Sequence, residues 1–207
     1  MRFPRLDEGQ IRIKPYHAGL REAARIARHR WLTFVRPQFA ACPLRVLRGN
    51  MTQLFIQEAR TLIGGMSGVR FIDTKSLQTV VVLDPPTGGE APWVARFKHV
   101  DEDFRARNIR TDATRHFDAQ EDLPEIPSGS VYFTFGYQMI GPDAELVGPH
   151  VILALNKKIY WRYNIDDPSA AIEAAYLFDG GTPPPATRRV RPVPGLVPKK
   201  KNEAPEE

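Results

Sequence analysis

His99, Asp101 and Asp103 step by two along the chain. On an extended strand that spacing sets an imidazole and two carboxylates on one face, with Glu102 opposite. Imidazole and carboxylate together suit a divalent metal. A strand end spilling into a charged loop gives the same spacing, so no metal ligand is assigned from it. Asp73-Thr74-Lys75 has the acid-x-Lys order of metal-dependent nucleases, with Glu58 available from a preceding helix. Such a centre holds its metal between that acid and a carboxylate on a separate strand, while the lysine steadies the attacking water. No separate strand intervenes between Glu58 and Asp73, and the triplet reads as a hairpin turn. The histidines, His17, His29, His99, His116 and His150, never fall into a paired-ligand spacing. Cys42 is the single cysteine, which excludes a disulfide framework and a thiolate cluster and leaves a structural thiol. Gly64-Gly65 and Gly88-Gly89 lack the surroundings of a phosphate-binding loop. No catalytic residue, metal or cofactor is expected from these patterns.

A different chemistry is written in the arginines. Arg21, Arg25 and Arg28 recur at helical spacing, with His29, Arg30 and Arg36 nearby. A basic helix face of this kind lies along phosphates, on an anionic membrane surface, against an acidic protein, or simply in solvent. Arg21, Arg25, Arg28, Arg30 and Arg36 are therefore the candidate nucleic-acid contacts. The net charge of +5 is unevenly distributed: residues 1–50 carry 11 Lys/Arg against 3 Asp/Glu, residues 51–181 carry 12 against 18, and residues 182–207 carry 6 against 3. Basic ends around an acidic body either meet a polyanion or fold back onto that body, in the same chain or a sister subunit. Tyr132, Tyr160 and Trp161 offer a stacking surface for single-stranded nucleic acid. Alternation and the acidic body favour core packing for them.

The elements that must position these groups follow from period and punctuation. Residues 1–16, with Pro4, Gly9 and Pro15 around the alternating run Gln10 to Lys14, read as an arm or edge strand. Leu20, Ala24, Ala27, Trp31 and Phe34 mark one face of a helix from Ala18 to Val35, stopped by Pro37. A second helix is predicted from Asn50, as N-cap, to Ile63, ended by Gly64-Gly65. The connection from Arg36 to Gly49 is too long for a helix-turn-helix. Strands are predicted at Val69–Asp73, Gln78–Leu83 and Trp93–Val100, forming a meander, and at Val131–Met139, Pro149–Leu155 and Ile159–Ile165. Thr111 or Asp112 caps a short helix through Gln120. From Asp179 onward proline and basic residues replace large apolar ones, and a disordered basic tail is expected. The fold class is α+β, N-terminal helices on a mainly antiparallel sheet of about six strands. The expected division is a basic helical region (1–66), the sheet body (67–178) and the tail (179–207).

The run Ala95-Arg96-Phe97-Lys98, with Asn108, Thr111, Gln120, Leu123-Pro124, Ile126-Pro127, Gly136-Tyr137, Trp161 and Ile165, resembles a pattern in uncharacterised bacterial and prophage proteins. These resemble companions encoded beside helix-turn-helix repressors and ImmA/IrrE-type peptidases. The resemblance covers residues 94–165 and implies a shared fold, with a toxin–antitoxin, prophage or phage-defence setting and no transferable catalytic residue. The expectation is a non-enzymatic, cytoplasmic interaction protein. It would bind a protein partner, and nucleic acid through its basic helix, without a membrane. The alternative is a metal-dependent hydrolase or nuclease using His99, Asp101, Asp103 or Asp73.

Overall fold

A computed structural model describes residues 3–39, 41–75, 77–85, 90–106, 111–140, 145–156 and 158–173. The expected tail, residues 179–207, lies outside them. The helices and the sheet belong to one compact unit, Met1–Ala174. Helices α1 (Leu6–Ile13), α2 (His17–Arg30), α3 (Arg36–Gln38) and α4 (Leu44–Ile63) precede strands β1 (Val69–Thr74), β2 (Gln78–Leu83) and β3 (Trp93–His99). Helix α5 (Asp112–Asp118) then leads into β4 (Val131–Ile140), β5 (Glu145–Leu155), β6 (Lys158–Asn164) and the two-residue β7 (Ile172–Glu173). The strands lie in sequence order in one sheet. The fold is α+β, and every neighbouring pair is antiparallel except β3 and β4.

The expected meander is β1, β2 and β3, and the parallel pair that follows it has its cause in the connection. A parallel neighbour needs a crossover passing over one face of the sheet. Residues 100–130 supply it, carrying α5 with Thr111 as N-cap, whose Oγ1 accepts from the Thr114 N–H. The sheet thus carries α4 on one side and α5 on the other. On the first face Phe97 meets Phe55 of α4 edge-on, with ring centroids 5.0 Å apart, and packs against Phe135. On the second, Phe117 and Leu123 close over Val80, Val82, Val94 and Tyr132. Tyr132, Tyr160 and Trp161 are buried, as core packing requires.

Three helical boundaries differ from expectation, each because tertiary packing overrides a local signal. Residues 6–13 form a helix, not an arm or strand. Gly9 lies flat against the Trp161 indole, where a Cβ would come within 2.7 Å of the ring, and the indole N–H donates to the Pro4 carbonyl. Helix α4 starts at Leu44, so Asn50 is mid-helix and caps nothing. Its early turns are tied down from outside: the Trp31 indole N–H donates to the Leu47 carbonyl and the Tyr137 hydroxyl to the Arg48 carbonyl. Pro37 does not stop the chain's helical path, because it sits in the first turn of α3, where its missing N–H costs nothing.

Strand β5 begins four residues earlier than its predicted start at Pro149. The ladder absorbs this proline, which has no N–H to donate, at a register shift between Gly136 and Gln138 of β4. Gly136 is itself a close-approach glycine. A Cβ there would lie 2.7 Å from Ile152 Cδ1 and 3.1 Å from Val100 Cγ1, so its absence lets the segment after β3 settle on the sheet. Gly136→Ala should overpack that contact and cost about 1–3 kcal/mol, read as a lower urea midpoint.

Candidate anion-binding cleft

Strand β3 ends at His99, and Asp101 begins a turn in which its carboxylate accepts from the N–H groups of Asp103 and Arg105, at 3.1 and 2.9 Å. His99, Asp101, Glu102 and Asp103 line an open cleft of about 500 Å³ with Arg48 and Gln138. Among the described residues no three His, Cys, Asp or Glu side chains are arranged to hold a metal. The two-residue step fails because the chain leaves the extended conformation at Asp101. Asp73 accepts from Arg60 and from Thr79, both at 2.6 Å, and its carboxyl is held below the usual range chiefly by the Thr79 hydroxyl and then by Arg60. Glu58 pairs with Arg30. The Thr74 hydroxyl bonds across the hairpin to the Gln78 carbonyl. Cys42 is a free, half-buried thiol in the turn before α4.

The five arginines do not form a common patch of unpaired charge. Arg21 donates to Asp166 at 2.5 Å and to the Ile165 carbonyl at 3.1 Å, joining α2 to the end of β6. Arg25 pairs with Glu22 on its own helix, and Arg30 pairs with Glu58 of α4. Arg36 lies over the Trp31 ring, and Arg28 Nε is buried without a hydrogen-bond partner. Arg12 of α1 reaches Glu90 at 2.9 Å. Much of the basic head therefore folds back onto carboxylates of the same chain.

A second basic group, missed from sequence, lies on the face covered by the crossover. Register sets Arg96, Thr134, Ile152 and Arg162 side by side across β3, β4, β5 and β6. Lys98, Gly136, His150 and Asn164 form the next row. Arg96 is only 4% exposed. It donates to Asp118 at 2.6 Å and to Thr134 Oγ1 at 3.3 Å, and stacks on Phe117 at 4.1 Å. The position of Asp118 is fixed by Gln120, whose side chain acts as an extra rung of the ladder. It accepts from the Tyr132 N–H and donates to the Tyr132 and Ala154 carbonyls.

Asp118 is the carboxylate that meets Arg96, and among the described residues neither Lys98 nor Arg162 has an ion-pair partner. Burial, and then repulsion from Arg96, push the Lys98 ammonium below its ordinary pKa, with Asp118 opposing. Burial does the same to Arg162. Phe104, in the left-handed region at φ 61°, lays its ring 3.4 Å from the Arg162 guanidinium and 4.9 Å from the His150 imidazole. Beside Phe104 opens a cleft of about 360 Å³ lined by Arg96, Arg105, Asp118, Thr134, Ile152 and Ala154, among others. Asp101 also lines it, so Arg96 and Arg105 are matched there by two carboxylates, while Lys98 and Arg162 stand on the same face outside the lining and add positive potential to it. No family model, curated protein or solved structure matches this chain.

His150 reports on the same row. It is 3% exposed, with neither ring nitrogen hydrogen-bonded. Burial, and then Arg162, lower its pKa from 6.5 to about 4, with Asp166 opposing. Between those values the unfolded chain binds the extra proton, so folding stability is full above pH 6.5 and falls as the pH drops towards 4. His150 contributes up to about 3 kcal/mol of that fall, and His17, also lowered by burial, adds to it. A His150→Gln variant should therefore lose less melting temperature than the parent between pH 6.5 and 4. An equal loss would assign the acid sensitivity to other groups.

Proposed function

We propose that this protein is a non-enzymatic binding protein whose ligand presents an anionic group to the second face of the sheet. The observation that supports this reading is Lys98 on β3 and Arg162 on β6, half-buried cations on one face of the sheet, neither with an ion-pair partner among the described residues. Such charges destabilise the free protein and are compensated when an anion arrives. The groups considered for catalysis are occupied differently: Asp101 caps a turn, and Asp73 and Glu58 each answer an arginine.

The reading makes opposite demands on stability and binding. Replacing Lys98 with Met removes a charge whose folded-state pKa is depressed, so the variant should melt at or above the parent temperature in chloride buffer. Inorganic phosphate at ten times its Kd should stabilise the parent by about 1.4 kcal/mol, and that gain should shrink in the Lys98→Met and Arg162→Gln variants. Thermal melts in phosphate and in chloride at equal ionic strength read both effects. A phosphate shift that survives both substitutions would remove the reading.

A second reading, nucleic-acid binding by α2, draws on the Arg21 and Arg25 side chains, which are 52% and 68% exposed despite their ion pairs. Exposed pairs contribute little, so phosphates can displace the carboxylates. Changing Arg21, Arg25 and Arg28 to Gln should flatten the log–log salt dependence of generic DNA or RNA binding by about 2 to 3. A variant that only loses melting temperature, with its salt slope unchanged, would leave these arginines a purely structural role, Arg21 through Asp166 and Arg25 through Glu22.

A further inference from the structure

The cleft beside Phe104 is not a bare ion site. Its wall combines Arg96, Arg105 and the Thr134 hydroxyl with an apolar floor from Ile152, Ala154 and Ile159, and Phe104 forms one side. Its volume, about 360 Å³, falls in the range of pockets that enclose small organic ligands, roughly 300–1,000 Å³. An inorganic oxyanion would leave the apolar floor to water. A polyanion meets a different obstacle, since Asp118 and Asp101 line the same cleft and repel any negative charge beyond the one the cations receive. We infer that the cleft binds a small organic anion with one anionic head and an apolar body, such as a carboxylate, sulfonate or phosphate monoester carrying an aromatic or aliphatic group.

This inference rests on the anion-binding reading and names its ligand class. The head sits at the Arg105 rim and the Thr134 hydroxyl, where Arg105 and Arg96 also answer Asp103 and Asp118, and Lys98 and Arg162 add positive potential from the same face of the sheet. The body lies on Ile152, Ala154 and Ile159. Recognition thus has two separable parts, and each has a residue that can be changed without touching the Arg96–Asp118 pair. Arg105→Gln removes a largely exposed cation from the rim. Ala154→Leu, at a half-buried position, fills the floor without changing charge.

The test is a fluorescence titration of the full chain with 8-anilinonaphthalene-1-sulfonate at pH 7. Circular dichroism melts would confirm that each variant folds cooperatively. One saturable site is expected, displaced by decanoate but not by equal concentrations of inorganic phosphate. Both Arg105→Gln and Ala154→Leu should weaken the probe, the second by tenfold or more. Displacement by phosphate or by single-stranded RNA with none by decanoate would overturn the amphipathic ligand and leave the anion reading standing. A parent that binds the probe no better than Ala154→Leu, with no phosphate shift in its melting temperature, would overturn both.

Discussion

The ion pair of Arg96 with Asp118 sets the terms for the second half of the molecule. An arginine in the middle of β3, nearly sealed from water, is tolerable only if a charge and a hydrogen-bond acceptor come to it. The crossover delivers them: α5 ends in Asp118, Phe117 supplies a ring face, and Gln120 stitches the following turn to β4 and β5. Removing the carboxylate would strand the guanidinium, a loss of about 3–5 kcal/mol for a pair of this kind. The pair therefore fixes how α5 lies on the sheet, and Asp118 is committed to its nearest cation. Asp118 favours the Lys98 charge without outweighing its burial, Arg162 meets the Phe104 ring, and neither has an ion-pair partner among the described residues.

The two faces of the sheet divide the labour. The first is an aromatic layer, Phe97, Phe133, Phe135 and Tyr137, against Phe55 of α4 and its neighbours. Its hydroxyls find partners, as when Tyr137 meets Thr52 and the Arg48 carbonyl. Packing of that kind specifies a fold. The second face is closed where β2, β3 and β4 meet α5, and is partly open towards β5 and β6, where polar groups of β3 and β4 stand beside the apolar Ile152, Ala154 and Ile159. Rigid support on one side and an open cleft on the other is the arrangement a binding site needs.

Much of the scaffold was legible because its signals are local and periodic. Leu20, Ala24, Ala27 and Trp31 fall on one helix face and are all buried. Phe34 belongs to the same stripe in sequence yet is exposed, because the helix widens to a π-turn at Trp31–Val35 and rotates it off the face. The strands were readable from alternation, whereas α1 and the start of α4 depend on partners distant in sequence: Trp161 for Gly9, Tyr137 and Trp31 for the turns around Leu47. The cleft was hidden for a related reason. Arg96 and Lys98 occupy the alternate positions of β3 that an exposed strand face would assign to solvent. A helix lying between two neighbouring strands was the available clue, since a parallel crossover must cover one face and bury whatever alternates onto it.

The segregation of charge along the chain carries a different lesson about basic segments. Counted by residue, the N-terminal fifty positions resemble a polyanion-binding arm. Counted by contact, Arg12, Arg21 and Arg30 answer Glu90, Asp166 and Glu58, so part of the excess is internal adhesion that ties α1 and α2 to the rest of the fold. A cation next to a carboxylate must break one interaction to form another, and its gain from a phosphate is reduced by what it gives up. A half-buried cation with no carboxylate paired to it gives up less when an anion arrives. By that criterion Lys98 and Arg162, inside the acidic body, are better placed to bind an anion than the more numerous arginines of the head.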